Sequence, residues 1–213
     1  MLDFTLPQLI ARLFVLVVAF TVHEFAHAWT ANYFGDDTPR SQGRLTLNPM
    51  VHIDPLGALL LVVAGFGWAR PVMVNPVALE RRSPAAPMLV ALAGPLSNLV
   101  LAILAAIPVQ AGLVNITQFS SGVLPSAFGL ISEFVFINLV LMFFNLIPIA
   151  PLDGEKVLTY FLPSAGKRFM ASIRPQGFLI LLALIFVLPY MGIDLLEDVI
   201  LQPTLALYNL LLG

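Results

Sequence analysis

The stretch Phe20-Thr21-Val22-His23-Glu24-Phe25-Ala26-His27-Ala28-Trp29 decides how the whole chain is read. It sits in an apolar run from Leu9 to Phe34, and about 20 such residues in helical form cross a bilayer. Residues four apart share a helix face, so His23 and His27 point the same way with Glu24 beside them. Two imidazoles and an adjacent carboxylate are the means by which an HExxH helix holds zinc and activates its water. In a soluble setting the pattern indicates a metalloprotease, and the flanks Leu16-Val17-Val18-Ala19 and Ala28-Trp29-Thr30-Ala31 move that chemistry into a bilayer.

The rest of the chain agrees with that setting. Of its 213 residues, 59% are hydrophobic and only 10% charged, against about 25% charged in ordinary soluble domains. Mean hydropathy is +0.95. A net charge of -2 offers no polyanion-binding surface, which argues against a nucleic-acid partner. The absence of cysteine excludes disulfides and thiolate ligands. Met1-Leu2-Asp3 has no basic segment and no small-residue cleavage site follows, so the first apolar run reads as a retained helix.

Three runs are long enough to span: Leu9 to Phe34, Met88 to Gln110 and Ala127 to Ile149. A fourth, Gly177 to Ile193, is shorter and carries Pro189, and the tail from 201 to 213 fits either an interfacial helix or part of another span. Leu56 to Phe66 covers half a bilayer and reads as a re-entrant segment. Gly67 to Asn75 and its flanking Pro76, proline-bounded around Val72-Met73-Val74, read as extended chain or as an interfacial loop anchored by Trp68 and Arg70. The expected fold is an all-α polytopic membrane protein, one embedded unit over 1–213. It has about four spanning helices, a re-entrant segment and a short β-like loop within 56–77.

Arg40, Arg44, Arg70, Arg81 and Arg82 fall between the first two spans, and Lys156, Lys167, Arg168 and Arg174 follow the third, whereas 111–126 is uncharged. The positive-inside bias places the basic loops in the cytosol and the N-terminus outside. His27 then lies about 10 Å before the cytosolic end of its helix, at 1.5 Å rise per residue.

A catalytic zinc commonly takes three protein ligands and keeps one position open for water. Beyond His23 and His27, the candidates are His52, Asp54, Glu133 and Asp153. Asp153 stands out because Pro148, Pro151 and Gly154 interrupt the helix around it, and irregular backbone at membrane depth suits a metal site. His52 and Asp54 fit turn or cap positions equally well.

At this point the chain resembles the site-2 proteases, intramembrane zinc metalloproteases, in their compact bacterial branch. The likeness rests on HEFAH at 23–27 and on Asn145-Leu146-Ile147-Pro148-Ile149-Ala150-Pro151-Leu152-Asp153-Gly154, which fits the family's NxxPxxxxDG pattern. Supporting stretches are Gly43 to Pro49, His52 to Gly57 and Gly94-Pro95-Leu96-Ser97-Asn98. Unlike larger members, the sequence shows no PDZ or CBS domain and no span before the HEFAH helix. The resemblance implies one zinc per chain on His23, His27 and Asp153, with Glu24 as general base. Asn145 is a candidate oxyanion donor, Asn98 a second or an interhelical bond, and His52 a possible accessory residue. Expected substrates are single-pass membrane proteins or their remnants, cut near the cytosolic side of a bacterial inner membrane.

Two other classes also fit parts of the pattern. Intramembrane His and Glu line proton and metal pathways in transporters, although the internal repeats common there are not evident. A catalytically idle membrane-binding relative would have no need of a base beside the ligands.

Overall fold

The computed structural model describes residues 5–54, 57, 69–114 and 123–213. The chain folds as helices, without a sheet among the described residues. Four helical segments are long and apolar enough to cross a membrane: Leu6–Tyr33, Ala86–Gln110, Ala127–Asn145 and Ser164–Val187. The first three, α1 (Leu6–Tyr33), α4 (Ala86–Gln110) and α5 (Ala127–Asn145), form the core of the bundle. Between them lie the short helices α2 (Thr38–Ser41) and α3 (Pro76–Arg82).

The core forms because each helix carries a row of small or polar residues four apart. On α1 the buried row is Ala11, Val15, Ala19, His23, His27 and Ala31; on α4 it is Val90, Gly94, Asn98, Ala102 and Ala106. Rows of small side chains let helix backbones approach closely, and polar members of a row then meet across the interface. The directions follow from side-chain pairs. Arg12 near the start of α1 pairs with Glu133 near the start of α5 at 3.2 Å. His27 meets Val90 near the start of α4. Helices α1 and α5 are therefore parallel and α4 runs against both. Glu133, one sequence candidate for a ligand, is committed to Arg12 at the far end of the bundle from His27.

Beyond the third span the structure differs from the sequence expectation in detail. Helix α5 stops at Asn145, not Ile149, because Pro148 disfavours helical geometry in the residue before it. After a turn containing a cis Ala150–Pro151 bond, α6 (Asp153–Phe161) begins, followed by α7 (Ser164–Ile173) and α8 (Gly177–Leu182). The fourth apolar segment runs from Ser164 to Val187, not from 177 to 193. Lys167 and Arg168 lie within α7, since charged side chains reach water from an interfacial position, and Arg174 opens the single 3-10 turn Arg174–Gln176 that joins α7 to α8. Its end comes earlier, at Pro189 and at Gly192, whose φ of 79° is left-handed.

The tail is helical, α9 (Gln202–Leu212), and belongs to the bundle. Ile200 and Leu196 pack with Ile147, Leu152 and Leu181. Farther along, Tyr208 hydroxyl bonds Ser132 Oγ at 2.7 Å, and Gln110 Nε2 donates to the Leu211 carbonyl at 3.0 Å. The tail thus runs antiparallel to α5, from the Asp153 end to the Gln110 end.

The run Leu56 to Phe66, apart from Gly57, lies outside the described residues, as do Gly67 and Trp68. From Ala69 to Asn75 the chain takes no regular helix or sheet, and it is held at successive points. Ala69 forms an isolated antiparallel bridge with Ile53, and Arg70 N–H donates to the His52 carbonyl at 2.7 Å. Asn75 N–H donates to the buried Asp36 carboxylate at 2.6 Å.

Candidate metal centre

His23 and His27 continue the buried small-residue row of α1, so they point into the bundle and not into lipid. Each ring is fixed from behind. His27 Nδ1–H donates to the Val90 carbonyl at 2.7 Å, and His23 Nδ1–H to Asn98 Oδ1 at 2.7 Å. Asn98 Nδ2 in turn donates to Asn138 Oδ1 at 2.9 Å, and Asn138 Nδ2 to the Phe134 carbonyl at 2.9 Å. Both asparagines are fully buried. A carbonyl can only accept, so the His27 proton is on Nδ1; the Asn98–Asn138 relay sets the same tautomer for His23.

The outward protons leave both Nε2 lone pairs facing inward. His23 Nε2 and His27 Nε2 are 3.0 Å apart, and Asp153 Oδ2 lies 3.2 and 3.1 Å from them. Three electron-pair donors thus converge on one point, within 4.8 Å of one another and all buried. Neutral imidazoles of this tautomer put no proton between the donors, so the cluster repels itself unless a cation sits among them. The donor set, two nitrogens and a carboxylate oxygen, is one that zinc accepts.

Asp153 arrives from a separate element. It opens α6, and Gly154 lets that helix start press against the carbonyls of Leu146 and Ile147, where a side chain would overlap them. The glycine therefore seats the new helix instead of closing the old one. Gly94 on α4 has a comparable task. A methyl there would overlap the Nε2 atoms of both histidines, so the missing Cβ is part of the space the donors face.

Glu24 turns to the neighbouring wall, where its Oε2 accepts Val72 N–H at 2.9 Å. Arg44, buried beside it, donates to the carbonyls of Val51 and Arg70 and so ties two loops together. Burial and the nearby Arg70 lower the Arg44 guanidinium from its ordinary value, while the Glu24 carboxylate pulls it back up. A cavity of about 390 Å³ opens on this side, lined by Phe20, His23, Glu24, Pro71, Asn145 and Phe178 among others.

The residues singled out in the sequence divide by place. His23, Glu24, His27, Asp153, Asn98 and Asn145 come together. Asn98 serves as the interhelical partner of His23. Asn145 lines the cavity while its Nδ2 donates to the Leu141 carbonyl at 2.9 Å. His52 stays apart: its Nε2 bonds the Thr46 carbonyl at 2.8 Å within its own loop, and its carbonyl holds Arg70. Asp54 caps a turn by accepting Gly57 N–H. Sequence reasoning missed Asn138 and the close approach of Gly94 to the two imidazole rings. The signal for both was the spacing of four along α4 and the placement of an asparagine two turns before Asn145.

Donors of this kind inside a bundle of membrane-length helices define a membrane-embedded metalloenzyme. Comparison with known proteins narrows the class. Peptidase family M50 matches residues 107–188. A protein named as a zinc metalloprotease, YwhC of Bacillus subtilis, is 44% identical over 178 residues, covering 82% of this chain and 78% of that protein. Rip2 of Mycolicibacterium smegmatis, also named as a zinc metalloprotease, is 33% identical over 193 residues, 84% of this chain and 70% of the relative. Rip2 of Mycobacterium tuberculosis H37Rv is 32% identical over 193 residues, with 86% and 71% covered. No solved structure gives a significant match. The chain belongs to peptidase family M50, the site-2 proteases. It is accordingly a multi-pass membrane zinc metalloprotease.

Proposed function

We propose that this protein hydrolyses peptide bonds in or near the transmembrane segments of single-pass membrane proteins or their remnants, with His23, His27 and Asp153 holding one zinc ion and Glu24 acting as general base. The observation that carries the reading is the convergence of three proton-free donors beside a carboxylate that faces a cavity. When bound, zinc supplies Lewis acidity toward water and toward the scissile carbonyl.

The residues of the chain do the rest. Asn98 and the Val90 carbonyl orient the two imidazoles, and Asn138 orients Asn98. Val72 N–H occupies Glu24 Oε2 and leaves the other oxygen to take a proton from the attacking water and pass it to the departing amine. Asn145, on the same cavity, is placed to donate to the oxyanion that develops on the carbonyl. A helical substrate must unwind before cleavage, because its own hydrogen bonds shield the amide. The extended segment from Ala69 to Asn75 supplies an edge for the unwound chain by strand addition. The Arg70 and Val72 N–H groups are held by the His52 carbonyl and by Glu24, and Met73 between Val72 and Val74 is 60% exposed.

The basic loops Arg40 to Arg82 and Lys156 to Arg174 lie in the cytosol of a bacterial inner membrane on this reading, with Met1 outside. Cleavage then occurs near the cytosolic face.

The test uses purified wild type and two variants, scored for bound zinc and for cleavage of a panel of single-pass peptides. Glu24→Gln is expected to keep zinc and lose cleavage by about a thousandfold or more, and normal turnover by it removes the general base. Asp153→Ala is expected to lose zinc, and unchanged metal content removes the third ligand. Labelling of residues 40 and 167 from opposite faces refutes the orientation.

A further inference from the structure

Among the described residues, Val72 N–H is the one hydrogen-bond donor to the Glu24 carboxylate. Arg44 lies nearby but donates to the carbonyls of Val51 and Arg70. The direction of Glu24 therefore depends on where the extended segment holds Val72. That segment is anchored on each side of it. On one side, Ala69 and Arg70 are tied to Ile53 and His52, which belong to a loop. On the other, Asn75 N–H donates to Asp36 Oδ2 at 2.6 Å. Asp36 is fixed to α1 itself. Its own N–H closes the helix end on the Ala31 carbonyl at 3.0 Å, after Gly35, whose φ of 85° is left-handed. Glu24 and Asp36 thus grip the segment from one helix at two points, Val72 and Asn75. Val74 between those points packs against the cluster that holds Ala31.

Asp36 is 1% exposed, and no cation pairs with its carboxylate among the described residues. A buried charge without a counter-ion is costly, so its presence calls for a task that a neutral residue would not perform. Closing a turn is not that task. Oδ1 accepts Thr38 N–H at 2.9 Å at the start of α2, and Asn or Ser closes such a turn as well. The second oxygen adds the bond to Asn75, whose side chain in turn caps α3. We propose that Asp36 is a positioning residue for Glu24. Through Asn75 it holds the extended segment in the register that presents Val72 N–H to the carboxylate of the general base. This rests on the proteolytic reading above. It gives the reaction a residue that is neither among the metal ligands nor in the lining of the cavity.

The experiment uses full-length protein in nanodiscs and compares wild type, Asp36→Ser and Asp36→Ala. The serine oxygen still reaches Thr38 N–H but falls short of Asn75, and alanine loses both bonds. Amide hydrogen exchange over 69–75 is read without substrate, bound zinc is counted, and cleavage of the single-pass peptides gives kcat and KM. Asp36→Ser is expected to keep full zinc and to exchange about tenfold faster at Val72 and Asn75. Its kcat should fall about fivefold and its KM change by less than about twofold. KM is spared because Ile53 and His52 still hold the part of the segment, Ala69 to Pro71, that lines the cavity. Added to Val72→Pro, which removes the donor to Glu24, Asp36→Ser should lower kcat no further. Wild-type exchange and kcat in Asp36→Ser, with damage only in Asp36→Ala, make Asp36 a cap for α2 and overturn the proposal. A kcat loss that adds fully to that of Val72→Pro overturns it as well. So does loss of zinc, which makes Asp36 a residue of the whole bundle. Faster exchange confined to 72–75, with no cleavage even by wild type, supports the anchor and removes the proteolytic reading instead.

Discussion

The two walls of the metal centre are built on opposite plans. On the helical wall, α1, α4, α5 and α6 deliver His23, His27, Gly94, Asn98, Asn138 and Asp153, and each contact there is made by a polar side chain, to another side chain or to a helix carbonyl as at Val90. On the facing wall, Ala69 to Asn75 is held by backbone N–H groups donated to His52, Glu24 and Asp36. Side-chain identity therefore fixes the first wall and main-chain geometry fixes the second. The first is the part that no conservative change should spare; the second should tolerate any residue that keeps its N–H.

The comparison breaks most easily at Gly94. Gly94→Ala puts a methyl where the two Nε2 atoms face, so zinc content should fall close to zero and cleavage with it. A zinc-replete Gly94→Ala protein would mean the rings move freely and the helical wall is not rigid. Next is the relay behind His23. Asn138→Leu leaves Asn98 without its acceptor and should weaken zinc binding by about 10- to 100-fold, as loss of outer partners does at other metal sites. Competition with a metal chelator measures this, and an unchanged affinity would show that Asn98 holds its orientation alone.

On the facing wall, Val72→Pro removes the donor to Glu24 and should raise KM and lower kcat together by about tenfold, with zinc content unchanged. Val72→Ala should differ little from wild type. Equal damage from the two variants would show that the side chain, not the N–H, carries the contact. The smallest effect is expected outside both walls. Leu181→Ala, in the cluster with Ile147, Leu152 and Ile200, should lower thermal stability by about 2 kcal/mol without loss of zinc. Loss of zinc there would tie the tail cluster to the turn before Asp153.

The difference between the walls also explains what could be read in advance. HEFAH in a membrane-length run is legible because helical periodicity and the cost of charge in lipid together leave few alternatives for two imidazoles and a carboxylate. The turn from Leu146 to Gly154 is legible for the same reason, as two prolines forbid the helix from continuing. The extended wall has no periodicity to reveal its partners. That Val72 meets Glu24, 48 positions earlier, depends on where the loops return. The position of the fourth segment was obscured by Lys167 and Arg168, charges that sequence hydropathy counts against a span but that α7 carries within its helix.

The sequence by itself determined that this is a multi-pass membrane protein with a helix-borne metal motif, because hydropathy and the spacing of His23 and His27 are local properties of the chain. Only the tertiary structure decided how the motif is completed. The Asn98–Asn138 relay that sets the His23 tautomer, the approach of Gly94 to both rings and the docking of the tail on α5 all join residues far apart in the chain. Contacts of that kind depend on how helices pack, and close packing of small-residue rows, unlike hydropathy, acts between segments and not within one.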